Sequence, residues 1–257
     1  MLKPLIHRLL RKFGYELTPR QGRSSLYGVL VNAKRNGFAP AGVIDVGAGR
    51  GDFTRLSHDL FSQARYLMIE PLDEFDSKLS DVSRAIPNAL RVKAVAASAS
   101  GSRMFNIHPD LFGSSLLFED EATNVNGTPR EVLAQRLEGL VGDAGLPAPF
   151  LLKIDVQGAE IEVLSGAEAI LDQCSMIILE TSLFKFFDGG PLLHEVIAWM
   201  EARDFLPYDI FGLAHRPLDG ALAQADIVFV PLHSDLRRHH HYATASQRAN
   251  LTERLRS

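Results

Sequence analysis

Short apolar runs alternate along the chain with segments whose apolar residues have helical spacing. The runs that predict buried strands lie at 42–46, 66–70, 90–97, 150–155 and 176–181. Apolar residues three and four positions apart predict helices after the first, second, fourth and fifth of these runs. Because strands that alternate with helices pair in parallel through right-handed crossovers, the pattern predicts an α/β fold with a doubly wound, mostly parallel sheet.

The remaining segments complete the predicted layout. Apolar runs around 208–211 and 226–230 predict a closing antiparallel hairpin. Residues 132–140 partly satisfy both strand and helix spacing, so both alternatives stay open. With no internal repeat and no long linker, we expect an N-terminal basic, helical extension (1–39), one main domain (40–232) and a loose, polar and basic tail (233–257).

The composition of the 257 residues excludes several classes of protein. With 46% hydrophobic and 23% charged residues, the chain can build a core and is not intrinsically disordered. Its single cysteine, Cys174, cannot form an internal disulfide, so nothing indicates an oxidising compartment. A net charge of −4 argues against a dedicated nucleic-acid-binding protein.

Both ends of the chain are basic, and the first twenty residues show the clearer pattern. Leucines and basic residues there are spaced as in a short amphipathic helix, which contacts either an anionic membrane surface or the rest of the protein. Charges interrupt the apolar run that a secretory signal needs, and no apolar window is long enough to span a membrane. We expect a cytoplasmic protein, with residues 1–20 as a candidate peripheral contact with the inner membrane face.

A glycine-rich loop, Asp45-Val-Gly-Ala-Gly-Arg-Gly-Asp52, follows the first predicted strand. Glycines there let the backbone turn tightly and approach a ligand at the start of a helix. A dinucleotide-binding loop needs a third glycine where Asp52 stands, and a carboxylate beside a pyrophosphate is repulsive. The loop therefore disfavours NAD, while Asp45 suits a ligand with an amino group.

Glu70 ends the second predicted strand, about 20 residues after the loop, where an acidic side chain can accept hydrogen bonds from both ribose hydroxyls. A ligand with a sugar, a cationic amino-acid end and no phosphate fits this pair of signals. S-adenosylmethionine meets that description.

Polar residues also follow the strand at 150–155, and ligands of open α/β sheets bind beyond the carboxyl ends of strands. Asp155 is placed there for chemistry, although it could instead cap the next helix. Lys153 either serves the site or neutralises Asp155. Glu160 is either functional or a first-turn acid favoured by the helix dipole.

The order of these motifs resembles the FkbM-type methyltransferases. The resemblance covers about residues 40–231 and is carried by four segments: 43–51 (Val-Ile-Asp-Val-Gly-Ala-Gly-Arg-Gly), 69–71 (Ile-Glu-Pro), 113–117 (Gly-Ser-Ser-Leu-Leu) and 152–160 (Leu-Lys-Ile-Asp-Val-Gln-Gly-Ala-Glu). It implies a seven-stranded, Rossmann-like class I methyltransferase fold, S-adenosylmethionine as donor, and O-methylation of hydroxyls on sugars, glycolipids or polyketides.

Site residues are implied by the same resemblance. Those expected to bind the donor are Asp45, Gly47 and Gly49 at its methionine end, Glu70 at its ribose, and Ala97 and Ser98 at its adenine. The chain departs from many relatives in having Gly49, followed by Arg50, where they have an asparagine after Gly-Ala, and Glu138 in place of an aspartate.

An alcohol is a poor nucleophile, so we looked for a base. Asp155 is the first candidate, either as a base or as a metal ligand with Glu180 nearby at the end of the fifth strand. His194 is the second, because the ordinary pKa of histidine suits proton transfer near neutral pH. Lys153 is expected to assist at the same place. A divalent metal ion is possible as a cofactor, but no set of ligands in the sequence supports one.

The acceptor is expected to be a small molecule or a glycan, bound by 100–148, 184–190 and the C-terminal hairpin. Ser114 and Ser115 either orient it or satisfy a turn, and three phenylalanines within 184–187 either cover it or anchor the core. Two other functions stay open: a non-catalytic donor-binding module and, less favoured, an NAD-linked oxidoreductase. The sequence does not determine the oligomeric state.

Overall fold

The structure is a computed structural model that describes residues 22–119 and 124–256. The segment expected to contact a membrane, 1–20, lies outside these residues. Within the described ranges, no helix combines the length and the apolar content needed to cross a bilayer.

Ten strands form two sheets in the described part of the chain. In chain order the strands are β1 (Gly42–Val46), β2 (Arg65–Ile69), β3 (Ala89–Val92), β4 (Val95–Ala97), β5 (Gly101–Ile107), β6 (Thr128–Arg136), β7 (Phe150–Ile154), β8 (Cys174–Ser182), β9 (Phe205–His215) and β10 (Leu222–Pro231). Seven of them form the main sheet in the order β3-β2-β1-β7-β8-β10-β9. The first five run parallel, and β10 is antiparallel to both of its neighbours. This confirms the predicted seven-stranded, mostly parallel sheet with its closing C-terminal hairpin.

Helices cover both faces of the main sheet, as a doubly wound fold requires. They are α1 (Leu26–Arg35), α2 (Asp52–Leu60), α3 (Asp76–Ala85), α4 (Leu137–Asp143), α5 (Glu160–Ser165), α6 (Leu193–Glu201) and α7 (Ala245–Arg256). The first three pack with one buried hydrophobic cluster and α4 to α6 with the other. Because successive strand residues face opposite sides, β1 sends Val43 and Asp45 toward α1–α3, and Ile44 and Val46 toward α4–α6.

The apolar run at 90–97 is two strands rather than the single strand we predicted. β3 ends at Val92, and β4 starts at Val95 in a separate sheet of order β4-β6-β5. Lys93 interrupts the run, and its ammonium pairs with the Asp73 carboxylate outside the core. The ambiguous segment 132–140 contains both elements, since β6 ends at Arg136 and α4 begins at Leu137.

Three further segments refine the prediction. The helix expected over 163–171 is divided at Gly166 into α5 and a 3-10 helix (Glu168–Gln173). Gly166 packs closely on the chain after β4, since a Cβ there would lie 2.0 Å from the carbonyl oxygen of Ala97. The tail, expected to be loose, forms α7, whose residues are exposed. α1, from the predicted extension, buries Val29 and Leu30 completely in the core.

Candidate active site

A cavity opens at the carboxyl ends of β1, β2, β7 and β8, the edge of an open α/β sheet at which ligands bind. One wall is the glycine loop after β1, and a second consists of carboxylates at the ends of β2, β7 and β8. A third wall is apolar and includes Leu111, Phe112 and Leu116. The lining includes Gly47, Gly49, Glu70, Asp155 and Glu180. The structure thus brings four of the predicted site residues together with Glu180, which was expected near Asp155.

The glycine loop packs tightly against the turn that follows β7. Gly47 and Gly49 have φ values of +76° and +50°, which side chains with a Cβ rarely adopt. A Cβ on Gly47 would lie 1.9 Å from the carbonyl oxygen of Asp155. Glycine is therefore required at position 47 both for the turn and for the close approach of the two cavity walls.

Glu70 is 7% exposed and connects two parts of the cavity wall. Its Oε2 accepts a hydrogen bond from the backbone N–H of Gly49 at 2.9 Å, and its Oε1 accepts one from Leu72 at 3.0 Å. Burial raises the pKa of Glu70 to about 7, although both hydrogen bonds act to lower it. Each oxygen keeps a further lone pair, so the carboxylate can also accept hydrogen bonds from two hydroxyls.

Asp45 lies beneath the glycine loop and does not line the cavity. On the face of β1 covered by α2, its Oδ2 accepts a hydrogen bond from the hydroxyl of Thr54 at 2.7 Å. Burial raises the pKa of Asp45, and the nearby Lys153 ammonium opposes this rise. We expected Asp45 to contact a bound ligand directly. Alternate residues of β1 face opposite sides of the sheet, and Asp45 faces α2, so it supports the glycine loop from below instead.

Asp155 and Lys153 form an ion pair at the end of β7. Lys153 Nζ lies 2.7 Å from Asp155 Oδ2, and the lysine side chain is 11% exposed against 35% for the aspartate. Strand pairing also places Lys153 beside Asp45. Burial lowers the pKa of Lys153, but the charges of Asp155 and Asp45 outweigh it and leave the pKa raised. Lys153 is therefore a buried cation between two carboxylates.

Gln157 links Asp155 to Glu180 across the cavity. Its Nε2 donates to Asp155 Oδ1 at 3.0 Å and to Glu180 Oε2 at 2.9 Å. Gln224, from β10, donates to the same Glu180 oxygen at 2.9 Å. Two amides thereby fix the orientation of the Glu180 carboxyl, and its Oε1 has no hydrogen-bond partner among the residues described.

Carboxyl groups crowd around this link. Burial raises the pKa of Glu180 to about 8, helped by the charges of Asp155, Glu160 and Asp226 and opposed by Lys153. Burial also raises the pKa of Glu160 to about 7 and that of Asp226 to about 6. Burial and repulsion between carboxylates thus raise the pKa values of these three carboxyl groups, and Glu180 is the one of the three that lines the cavity.

Ala97 and Ser98 do not contact the cavity, contrary to the expected adenine contact. Ser98 faces α5, and its N–H and hydroxyl both donate to Glu162 Oε1. The residues from this segment that line the cavity are instead 94–96. The break at Lys93 causes the offset, because β3 ends at Val92 instead of continuing to Ala97.

Two other candidates lie elsewhere. His194 is exposed in the first turn of α6 and is absent from the lining of the cavity. Glu138 accepts hydrogen bonds from Arg136 Nε at 2.8 Å and from the backbone N–H of Ala169 at 3.1 Å. Neither residue is placed to contact a ligand in the cavity.

Ser114, Ser115 and the phenylalanines of 184–187, each expected either to contact the acceptor or to support the fold, make contacts within the protein. Ser114 donates to the carbonyl of Leu111 at 2.8 Å and accepts from the backbone of His108, as in a turn, and it also lines the cavity. Ser115 donates to the carbonyl of Gln157 at 2.7 Å. Phe187 is 5% exposed and packs on Gly158, where a Cβ would lie 2.7 Å from the ring.

Phe112 was not anticipated from the sequence. It lines the cavity while remaining 50% exposed, and its ring centroid lies 5.4 Å from that of Phe75. No sequence signal marks it, because the contact joins a loop after β5 to the 3-10 helix Asp73–Phe75, far apart in the chain.

In the described part of the chain, no group of three or more His, Cys, Asp or Glu side chains is arranged to hold a metal ion. The cavity fits the organic cofactor better. It offers a glycine cradle, a carboxylate with free lone pairs at one end and an apolar wall between them.

Comparison with known proteins places the chain among methyltransferases. The profile of the methyltransferase FkbM domain matches residues 45–207. The chain is 30% identical to methyltransferase sdnD of Sordaria araneosa over 156 residues, which cover 49% of this chain and 60% of sdnD. It is 25% identical to 2-O-methyltransferase NoeI of Sinorhizobium fredii over 194 residues, covering 69% of this chain and 76% of NoeI.

Among solved structures, the chain is similar to an FkbM methyltransferase from Methylobacillus flagellatus, with a TM-score of 0.47 at 16% identity. The match covers 73% of this chain and 43% of the other. The aligned part thus spans less than two thirds of both sdnD and this solved relative.

Proposed function

The chain belongs to the FkbM methyltransferase family, and we propose that it transfers the methyl group of S-adenosylmethionine to a hydroxyl of a sugar, glycan, glycolipid or polyketide-type acceptor. The observation that carries the proposal is the contact between the glycine loop and Glu70 inside one cavity, with Asp155 on the opposite wall. This arrangement suits a ligand that has a ribose and an amino-acid end.

The residues of the cavity divide the donor between them. Glu70 accepts the ribose hydroxyls, residues 94–96 flank the adenine, and Gly47 and Gly49 admit the methionine end. When bound, the donor supplies a sulfonium-activated methyl group. The protein mostly has to align the acceptor oxygen with that methyl group and exclude water.

Asp155 is the proposed base that receives the proton of the acceptor hydroxyl. It is the carboxylate that faces the cavity at the end of the central strand β7, and Gln157 and Lys153 orient both of its oxygens. Lys153 acts here as a positioning residue. His194 has no step in this proposal, because it lies outside the cavity.

The class of acceptor rests on weaker support. NoeI is a 2-O-methyltransferase, which favours a hydroxyl acceptor. The loop that includes Leu111, Phe112 and Leu116, within the expected acceptor-binding segment, covers one side of the cavity. We propose a small-molecule or glycan acceptor rather than a nucleic acid.

Binding of the donor is the first test. The full-length protein is titrated by calorimetry with S-adenosylmethionine, and with NAD as the control. We expect micromolar binding of the first and none of the second. Binding of NAD alone would favour the oxidoreductase alternative, and binding of neither would overturn the proposal.

Methyl transfer is the second test, with methyl-labelled donor and a panel of methyl glycosides and hydroxylated polyketides. Asp155→Asn should lower the rate by about 100-fold or more, as loss of a general base does, while the variant still binds the donor. His194→Ala is the matched control and should retain full activity. Donor binding without transfer to any acceptor would favour the non-catalytic module.

A further inference from the structure

Arg50 is an exposed cation at the tip of the glycine loop. It follows Gly49, which lines the cavity, and precedes Gly51, the N-cap of α2. The guanidinium carbon of Arg50 lies 4.8 Å from the centroid of the Phe112 ring, and Phe112 also lines the cavity. Arg50 therefore stands at the mouth of the cavity, beside the end formed by the glycine loop.

The ring beneath Arg50 is held in place from two directions. Phe112 packs against Phe75, and a Cβ on Gly49 would lie 3.5 Å from its ring. The residue before it, Leu111, has a φ of +71°, and its carbonyl accepts a hydrogen bond from Ser114. Phe112 is thus supported by its neighbours, and a cation–π contact with its ring leaves the N–H groups of the guanidinium able to donate to a ligand.

Among the described residues Arg50 has no carboxylate partner, whereas three other basic residues are paired. Lys153 is paired with Asp155, and Arg130 is paired with Glu74. Lys93 is paired with Asp73. Among the residues that the structure describes, no acidic group lies within ion-pair distance of Arg50. Its charge is therefore available to a ligand.

The proposed donor needs such a cation. Its methionine end has an ammonium and a carboxylate, and the cavity wall carries Glu70, Asp155 and Glu180. These acids suit the ammonium but repel the carboxylate, which must turn away from them. Beside the glycine loop, at the end of the cavity lined by Gly49 and Phe112, Arg50 offers such a cation.

We propose that the Arg50 guanidinium, stacked on Phe112, binds the carboxylate at the methionine end of the donor. The planar guanidinium presents two parallel N–H groups that match a carboxylate. This inference rests on the proposed function, because it assigns one contact of the same donor. It makes Arg50 a determinant of affinity for ligands that retain the amino-acid portion.

A pair of ligands that differ in this portion tests the assignment. S-adenosylhomocysteine retains the amino acid, whereas 5′-methylthioadenosine lacks it and keeps the adenosine and the sulfur. Calorimetry of the full-length protein should show that Arg50→Gln weakens S-adenosylhomocysteine binding by about tenfold, as for other charge-assisted hydrogen bonds. Its affinity for 5′-methylthioadenosine should change by less than about twofold.

Controls separate the possible failures. Arg55→Gln removes an arginine one turn further along α2 and should alter neither affinity, whereas Arg50→Lys should fall between wild type and Arg50→Gln. If the wild type binds neither ligand, the proposed function fails. If the wild type binds S-adenosylhomocysteine and Arg50→Gln binds it equally, or loses both ligands equally, the assignment of the carboxylate to Arg50 is overturned. Equal binding of S-adenosylhomocysteine by the wild type and Arg50→Gln would indicate that the backbone of the loop holds the carboxylate.

Discussion

The Oε2 of Glu70 accepts a hydrogen bond from the backbone N–H of Gly49 at 2.9 Å, so the acid at the end of β2 fixes the shape of the glycine loop after β1. Two segments 21 residues apart in the chain thereby form one wall of the cavity. The same carboxylate has lone pairs left for a ligand. Loop geometry and ligand binding are therefore coupled through one side chain.

The state of Glu70 makes donor affinity depend on pH. Burial raises its pKa to about 7, and ribose hydroxyls donate to the ionised form. The ionised fraction grows from about a tenth at pH 6 to about nine tenths at pH 8, so affinity for S-adenosylhomocysteine should rise by about tenfold over this range. Calorimetry at several pH values measures how the affinity for S-adenosylhomocysteine changes with pH. Glu70→Gln should bind this ligand more weakly, and its affinity should not change over this range. A wild-type affinity that is constant between pH 6 and 8 would contradict this role.

Gly47→Ala should destabilise the protein by about 2 kcal/mol or more. The new Cβ would meet the carbonyl oxygen of Asp155 at 1.9 Å, in a backbone conformation with φ of +76°. Denaturant unfolding followed by circular dichroism measures the change. Gly139→Ala is the matched control, because that glycine is exposed in α4 with open space around it. It should stabilise the protein by up to about 1 kcal/mol, and an equal loss in both variants would show that the loop is not specially constrained.

Much of this site follows from chain order alone. In a parallel sheet the carboxyl ends of strands meet at one edge, so the loop at 47–49, Glu70 and Asp155 could be predicted to lie together. Predicting the pairing of Lys153 with Asp155 required only that residues two apart share a face of a strand. These features depend on local pattern and on a single topological rule.

Other features depend on where chain segments end and on distant contacts. The break at Lys93 moves the cavity wall from Ala97 to residues 94–96, and one lysine in an apolar run does not indicate that the residues after it join a different sheet. The position of Asp45 on the α2 side follows from strand parity, but the resemblance suggested a direct contact. Phe112 reaches the cavity through a loop whose path is set by tertiary packing.

Lys153→Met should destabilise the fold by about 3 kcal/mol. The substitution leaves Asp45 buried without its compensating cation and frees Asp155 from its ion pair, and breaking a buried pair is costly. Urea unfolding measures the loss. Lys93→Met is the control: both members of the Lys93–Asp73 pair are more than half exposed, so its loss should cost less than about 1 kcal/mol. A similar fall in the free energy of unfolding for both variants would mean that Lys153 does not compensate the buried charges of Asp45 and Asp155.

Glu180→Gln should make the protein more stable at pH 8 but not at pH 5.5. The pKa of Glu180 is raised to about 8 by burial and by neighbouring carboxylates, above its ordinary value of 4.5. Between these two values the folded state binds more protons than the unfolded state, so stability falls as pH rises through that window. Glutamine keeps the shape and removes this titration. The variant's Tm, measured by scanning calorimetry, should exceed that of the wild type by about 3 °C or more at pH 8.

Glu74→Gln is the control of opposite sign. The hydrogen bond from Arg130 lowers the pKa of Glu74, so its stabilising contribution is complete above the ordinary value of 4.5 and is lost only as the pH falls below that. Between pH 5.5 and 8 the difference between this variant and the wild type should therefore stay constant. If Glu180→Gln also shows a constant difference, Glu180 is already ionised at pH 5.5. The negative charge of Glu180 would then be stabilised by more than its contacts with Gln157 and Gln224 and the charge of Lys153.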